Sequence, residues 1–281
     1  MIRQRPNIIV VLASIILAVA VGVALIGNVF TPHAVTDQAL LSRLKPPSWM
    51  EGGEAAFPLG TDRIGRDMVA RLVAGLQMSL SVALLGTLIG AVFGTTIGFI
   101  AAHFRGWVEE ILMMVVDFQA SLPFILIALT LLAFFGNSMV LFIILMGMFG
   151  WETYARLARG VVLSARAQPY ARAIVALGAN PGRLYLRHVL PNVASALIVQ
   201  VTLTFPQIIL LETSLSFLGL GIQPPNTSLG QILGDGRDYL STAWWISVWP
   251  GLAIFLITLS MSILGDALRD RLDPMLKTRT T

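Results

Sequence analysis

Two carboxylates stand in surroundings that disfavour charge. Asp117 lies well inside an apolar stretch near 110–135, and Glu212 lies toward the far end of another near 193–218. A charged side chain within a bilayer costs about 3 kcal/mol on insertion scales, so such groups face a water-filled interior or a hydrogen-bonding partner. Each could line a polar path, or lock one helix to the next. Two further charge pairs, Asp67 with Arg71 and Glu152 with Arg156, fall at i and i+4, where helical side chains meet. Other chemistry is missing. His33, His103 and His188 make no ligand spacing, and the absence of cysteine excludes thiolate metal sites and thiol catalysis. No phosphate-cradling Gly-x-x-x-x-Gly-Lys-[Ser/Thr], nucleophile elbow, zinc-protease histidine pair or Rossmann glycine pattern occurs. The expectation is no catalytic residue, no metal and no cofactor in this chain, with energy for any driven process supplied from elsewhere.

The elements that position these residues follow from composition. Hydrophobic residues make up 56% and charged residues 12% of 281 residues, against about 25% charge in a water-soluble globule. The solvent is a bilayer. Six apolar stretches are long enough to cross a core of about 30 Å: near 8–30, 77–102, 110–135, 138–158, 193–218 and 244–265. Strand-like alternation is absent, which argues against a barrel. The fold class is therefore all-α, a polytopic membrane protein with six transmembrane helices and both termini on one side. Arg3, Arg5, Arg105, Arg156, Arg159, Arg166, Arg172, Arg183, Arg187, Arg269, Arg271, Lys277 and Arg279 fall on that side, against six basic residues on the other. The positive-inside rule makes it cytoplasmic. An anionic inner leaflet accounts for these arginines, and the net charge of +4 calls for no nucleic acid. The first stretch exceeds the usual length of a signal-peptide core, and is expected to be retained as a span.

The loop 160–192 carries a pattern of its own. Tyr170, Ala173, Ile174 and Leu177 fall at i, i+3, i+4 and i+7 of a helix, Gly178 breaks it, and Asn180-Pro181 starts a second short helix expected to stop at Leu190-Pro191. Such a helix, turn and helix reads as a docking surface for a separate protein, or as an amphipathic loop lying on the headgroups. Before the second span, a Pro- and Gly-rich segment from Thr31 reaches Gly60-Thr61-Asp62-Arg63-Ile64-Gly65-Arg66-Asp67, and from Asp62 the pattern reads as a short amphipathic helix leading into that span. After the fifth span comes Leu215-Ser216-Phe217-Leu218-Gly219-Leu220-Gly221, followed by Pro224-Pro225; the glycines and prolines end the helix.

All three segments resemble one family. The offsets from Arg172 through Gly178 to Leu190-Pro191 resemble the EAA loop of membrane subunits of ATP-binding-cassette importers, with Arg172-Ala173-Ile174 where that family usually has Glu-Ala-Ala. The strings at 60–67 and 215–225 are similar to those of the C-type permease of its dipeptide, oligopeptide and nickel branch, with Leu229 where a tryptophan is usual. The resemblance implies a division into 1–76, a first span with a periplasmic segment, and 77–281, the importer-type transmembrane domain. It implies ATPase docking at Tyr170, Arg172, Ala173, Ile174, Leu177, Gly178, Leu190 and Pro191, and a translocation path or gate at Asp117, Glu212, Ser216, Gly219 and Gly221. It further implies a second permease as heterodimer partner, two ATPase subunits or domains that bind ATP, a periplasmic substrate-binding protein, surrounding membrane lipids, and a place in the bacterial cytoplasmic (inner) membrane. Di- or oligopeptides lead among substrates, with nickel complexes or opines as alternatives. A stand-alone secondary transporter or channel is the competing class; it calls for a carboxylate relay or inverted repeats with broken helices.

Overall fold

The computed structural model describes residues 8–169 and 189–272, together with positions 180, 182 and 187. Helices are the regular structure among the described residues, joined by turns and loops, with one isolated bridge between Thr61 and Asp67 in place of any strand. Nine helices are named here: α1 Ile8–Ile26, α2 Met68–Phe104, α3 Gly106–Ser121, α4 Phe124–Phe135, α5 Met139–Gly147, α6 Trp151–Ala167, α7 Leu190–Phe217, α8 Leu229–Gly236 and α9 Trp245–Leu272. Five helical segments are long and apolar enough to cross a membrane, α5 and α6 counting as one, and six if the bent pair α3–α4 is one crossing. Five of the expected spans are thus present as crossing helices, and the third expected span is the bent pair. Segments 27–67 and 218–244 gather at what we call the long-loop end of the bundle.

Three expectations about these elements need correction. The amphipathic helix expected from Asp62 begins only at Met68, because Asp62 closes 62–67 into a turn; from there it runs into the second span as one helix of 37 residues, with no proline to break 68–104. Asp67 does not pair with Arg71: its side chain caps α2, accepting from the Val69 N–H at 3.0 Å. Pro191 does not stop a helix but sits in the first turn of α7, where its missing N–H has no intrahelical partner to lose. The bend of 86° between α3 and α4 follows from Pro123, which holds Leu122 in extended backbone (φ −98, ψ 135).

Packing centres on α2. Gly86, Gly90, Gly94 and Gly98 recur every four residues and form one face, on which α5 and α6 lie. A Cβ would meet Met146 at Gly86, the Gly147 carbonyl at Gly90, the Trp151 carbonyl at Gly94 and the Ala155 carbonyl at Gly98. Without an apolar solvent difference to drive helices together in lipid, such close backbone approach is what holds them. At the far end of this contact Arg166 Nη1 donates to the Ala102 carbonyl at 2.8 Å, tying α6 to α2 again.

Candidate functional site

The long-loop end is built on a turn that uses the Gly-Thr-Asp-x-x-Gly-Arg-Asp string. Asp62 Oδ1 accepts from the backbone N–H of Ile64 and of Arg66, both at 2.9 Å, closing the turn on itself. Gly65 completes it at φ +80, with its α-carbon against the Ala39 carbonyl, so no side chain fits. Asp62 Oδ2 then takes Arg66 Nε at 2.6 Å and Arg71 Nη1 at 2.8 Å. Arg71 reaches on to Asp235 of α8 with Nη2 at 2.9 Å. The side chains of Asp62 and Arg71 are each 1% exposed. Burial pushes the Asp62 carboxyl up, but the Arg71 and Arg66 cations and the two backbone donors outweigh it and hold the group below its ordinary 3.8. Trp245 Nε1 donates to the Thr61 carbonyl at 3.0 Å, so the same turn also grips the start of α9.

About two turns further along α2 lies a second knot. Glu212 is fully buried, accepting from Ser79 Oγ of α2 at 3.0 Å and from Ser216 Oγ at 2.7 Å. Each hydroxyl also accepts: Ser79 from the Leu229 N–H at 3.2 Å, Ser216 from the Ile222 N–H at 3.3 Å. A single carboxylate therefore joins α2, α7, α8 and the hairpin 218–228. Gly219 ends α7 at φ +82 with the Leu220 N–H returning to the Leu215 carbonyl, a Schellman closure. Gly221 lies against the Ser216 hydroxyl, where a Cβ would collide. Asn137 Nδ2 donates to the Gly221 carbonyl at 2.5 Å, which brings the α4–α5 link to the hairpin.

Four of the five residues expected at a path or gate, Glu212, Ser216, Gly219 and Gly221, are thus gathered into one structure. Asp117 is not among them. Its side chain is 68% exposed and meets Arg156 of α6 at 3.2 Å. That contact also replaces the expected pairing of Glu152 with Arg156: the guanidinium reaches across to α3 instead of along its own helix. Glu109 and Arg159 make a parallel pair between the same helices. Of the docking residues, Leu190 and Pro191 open α7, while Tyr170, Arg172, Ala173, Ile174, Leu177 and Gly178 lie outside the described residues. Ser79, Asp235 and the glycine row went unread in the sequence. Arg71 inside a spanning helix was the available signal, since a buried guanidinium requires carboxylates.

The matching family model is described as "Binding-protein-dependent transport system inner membrane component" and covers residues 94–278. The chain belongs to this family. Among the relatives of this inner membrane component, the di/tripeptide transport system permease protein DppC of Pseudomonas aeruginosa is 38% identical over 246 residues, 88% of this chain and 81% of that protein. The dipeptide permease protein DppC of Escherichia coli K12 is 39% identical over 255 residues, 91% and 85% of the two chains. The oligopeptide permease protein OppC of Mycobacterium bovis is 35% identical over 245 residues, 86% and 82%. Among solved structures, a chain of the MetNI methionine ABC transporter in an inward-facing conformation superposes with a TM-score of 0.56 at 20% identity, over 73% of this chain and 98% of that one. That likeness concerns the fold, and it agrees with the helical permease architecture described above.

Proposed function

We propose that this inner membrane component forms half of the translocation path of an ATP-driven importer of short peptides. The observation that carries the substrate class is the likeness to di/tripeptide, dipeptide and oligopeptide permeases over more than four-fifths of their length. The chain has no phosphate-binding loop of its own, so two ATPase subunits or domains bind and hydrolyse the ATP, and the 170–191 segment docks on them. Coupling is then the differential fit of this segment to open and closed ATPases, since a partner that binds two states equally shifts nothing. A second permease completes the path, and a periplasmic binding protein delivers the peptide to the long-loop end. The excess of basic residues on one side supports a cytoplasmic position for both termini and the 160–192 loop, and the relatives support a bacterial inner membrane. Within this frame Glu212 fastens the outer gate: it holds Ser216, Gly221 and α8 together, and does not itself face the path while they are joined.

The test is reconstitution of the chain with its co-purifying subunits in vesicles, followed by ATP-dependent uptake of labelled di- and tripeptides against nickel complexes and opines. Uptake of peptides alone is expected. Replacing Ile174 and Leu177 by Asp is expected to release the ATPases while leaving the second permease bound. Gradient-driven uptake by the chain alone, with no ATPase, would sink the proposal in favour of a secondary transporter.

A further inference from the structure

One face of α7 differs from every buried surface around it. Gln200, Leu203, Gln207, Leu210, Ser214 and Phe217 recur at alternating steps of three and four, and so share one side of the helix. From Gln207 onward the row is open: Gln207 and Ser214 are exposed, Leu210 is 50% exposed and Phe217 37%. The opposite side carries Ile208, Ile209, Glu212, Leu215 and Ser216, all buried. Two cavities flank the row. One of about 410 Å³ includes Ser195, Gln200 and Leu203 near the start of α7, and one of about 270 Å³ includes Phe217 and Gly219 at its end. Open residues run between them.

The polarity of that row decides what it faces. Ser214 satisfies its own hydroxyl by donating to the Leu210 carbonyl at 2.7 Å, as a hydroxyl in lipid does. Gln207 has no such return, and no partner among the described residues. It stands mid-helix, directly after Pro206, whose missing N–H leaves the Thr202 carbonyl without its helical donor. A carboxamide with neither donors nor acceptor matched is strongly disfavoured in hydrocarbon. The exposed row of α9, Val248, Leu252, Phe255 and Leu259, is by contrast wholly apolar and suits lipid.

We infer that the Gln200–Phe217 row of α7 is this chain's water-lined track for the solute, and that Gln207 is its central contact. A carboxamide both donates and accepts, so it can exchange hydrogen bonds with the main-chain amides of any short peptide without reading its side chains. The water contact stands on the row itself, whereas the peptide as occupant rests on the proposed function. Because the chain has no cysteine, single substitutions test the track directly. Gln207→Cys, Leu210→Cys, Ser214→Cys and, on α9, Phe255→Cys are assembled with the ATPases and second permease in vesicles, then treated during turnover with a membrane-impermeant cationic thiosulfonate. The three α7 variants are expected to be modified with loss of uptake, and Phe255→Cys to stay unmodified with uptake intact. If one α7 variant fails to assemble, the remaining two carry the same decision. Unmodified α7 cysteines in complexes that still import peptide would overturn the inference and assign the row to contact with the second permease. Modification in complexes that import another solute but no peptide would leave the track standing and remove the peptide.

Discussion

The two ends of the bundle are held by ion pairs of opposite character. At the long-loop end Asp62 and Arg71 are buried, share Arg66 and Asp235, and are braced by backbone donors. Between α3 and α6 the pairs stand singly, outside any network: Arg156–Asp117 is open, at 46% and 68% exposed, and Arg159–Glu109 is half-open, at 39% and 16%. A buried, networked charge cluster cannot lose a member without leaving another charge stranded, whereas an exposed pair exchanges its partner for water at little cost. One region is thus fixed and the other is free to rearrange. In a membrane component of an importer, that distribution lets one end hold while another rearranges.

The contrast can be broken most severely at Asp62. Asp62→Asn strands Arg71 beside a half-buried Asp235, and is expected to destabilise the long-loop end by about 3–5 kcal/mol, read as a fall in thermal unfolding temperature in detergent. Acid probes the same residue reversibly. Its carboxyl is held low in the folded protein, so its contribution is complete above its ordinary 3.8 and is lost only as pH falls below that through the lowered native value. Unfolding of wild type should steepen in that acid window, and that of Asp62→Asn should not. A wild type that loses the long-loop end near neutral pH would contradict the cluster.

Intermediate in size is the α2–α6 seam. Gly94→Leu forces a side chain into the Trp151 carbonyl and is expected to cost about 1–3 kcal/mol, with weaker assembly, while Gly22→Leu on α1, where nothing lies within 4 Å, should change little. Equal effects at the two positions would mean the seam is not close-packed. Smallest is the exposed pair: a double-mutant cycle of Arg156→Ala and Asp117→Asn is expected to give a coupling of roughly 0.2–1 kcal/mol, reduced further by salt. A coupling as large as that of the outer cluster would erase the difference between the two regions.

How much of this was legible before the structure depends on distance along the chain. Apolar length and helical period revealed the six spans, because a spanning helix satisfies its backbone locally. The residues expected at a path or gate on α7 and just after it, Glu212, Ser216, Gly219 and Gly221, lie within ten positions of each other, and a local string marked them. The partners of Arg71 and Glu212 lie 164 and 133 residues away, at Asp235 and Ser79. No period encodes such pairings; they exist only once α2, α7 and α8 are packed. Local rules also misassigned two pairs at i and i+4, Asp67 with Arg71 and Glu152 with Arg156, because a helix N-terminus and a neighbouring helix outcompeted a solvated same-helix contact. The continuous α2 escaped notice because Arg71 marked the residues before 77 as a separate amphipathic helix until its burial against Asp62 and Asp235 was known.

The glycine row gives α2 and α6 a mechanical character. Where Gly94 and Gly98 meet the Trp151 and Ala155 carbonyls the two helices approach backbone to backbone, with little side-chain layer on which to slide, and α2 acts with α6 as a beam about 55 Å long at 1.5 Å per residue. One tip of that beam is riveted by Arg71, and the other is lashed to α6 by Arg166 just ahead of the 168–189 segment. A push delivered at the second tip therefore reaches the first as displacement of the whole beam, undiminished by the soft, repacking side chains that would otherwise absorb it.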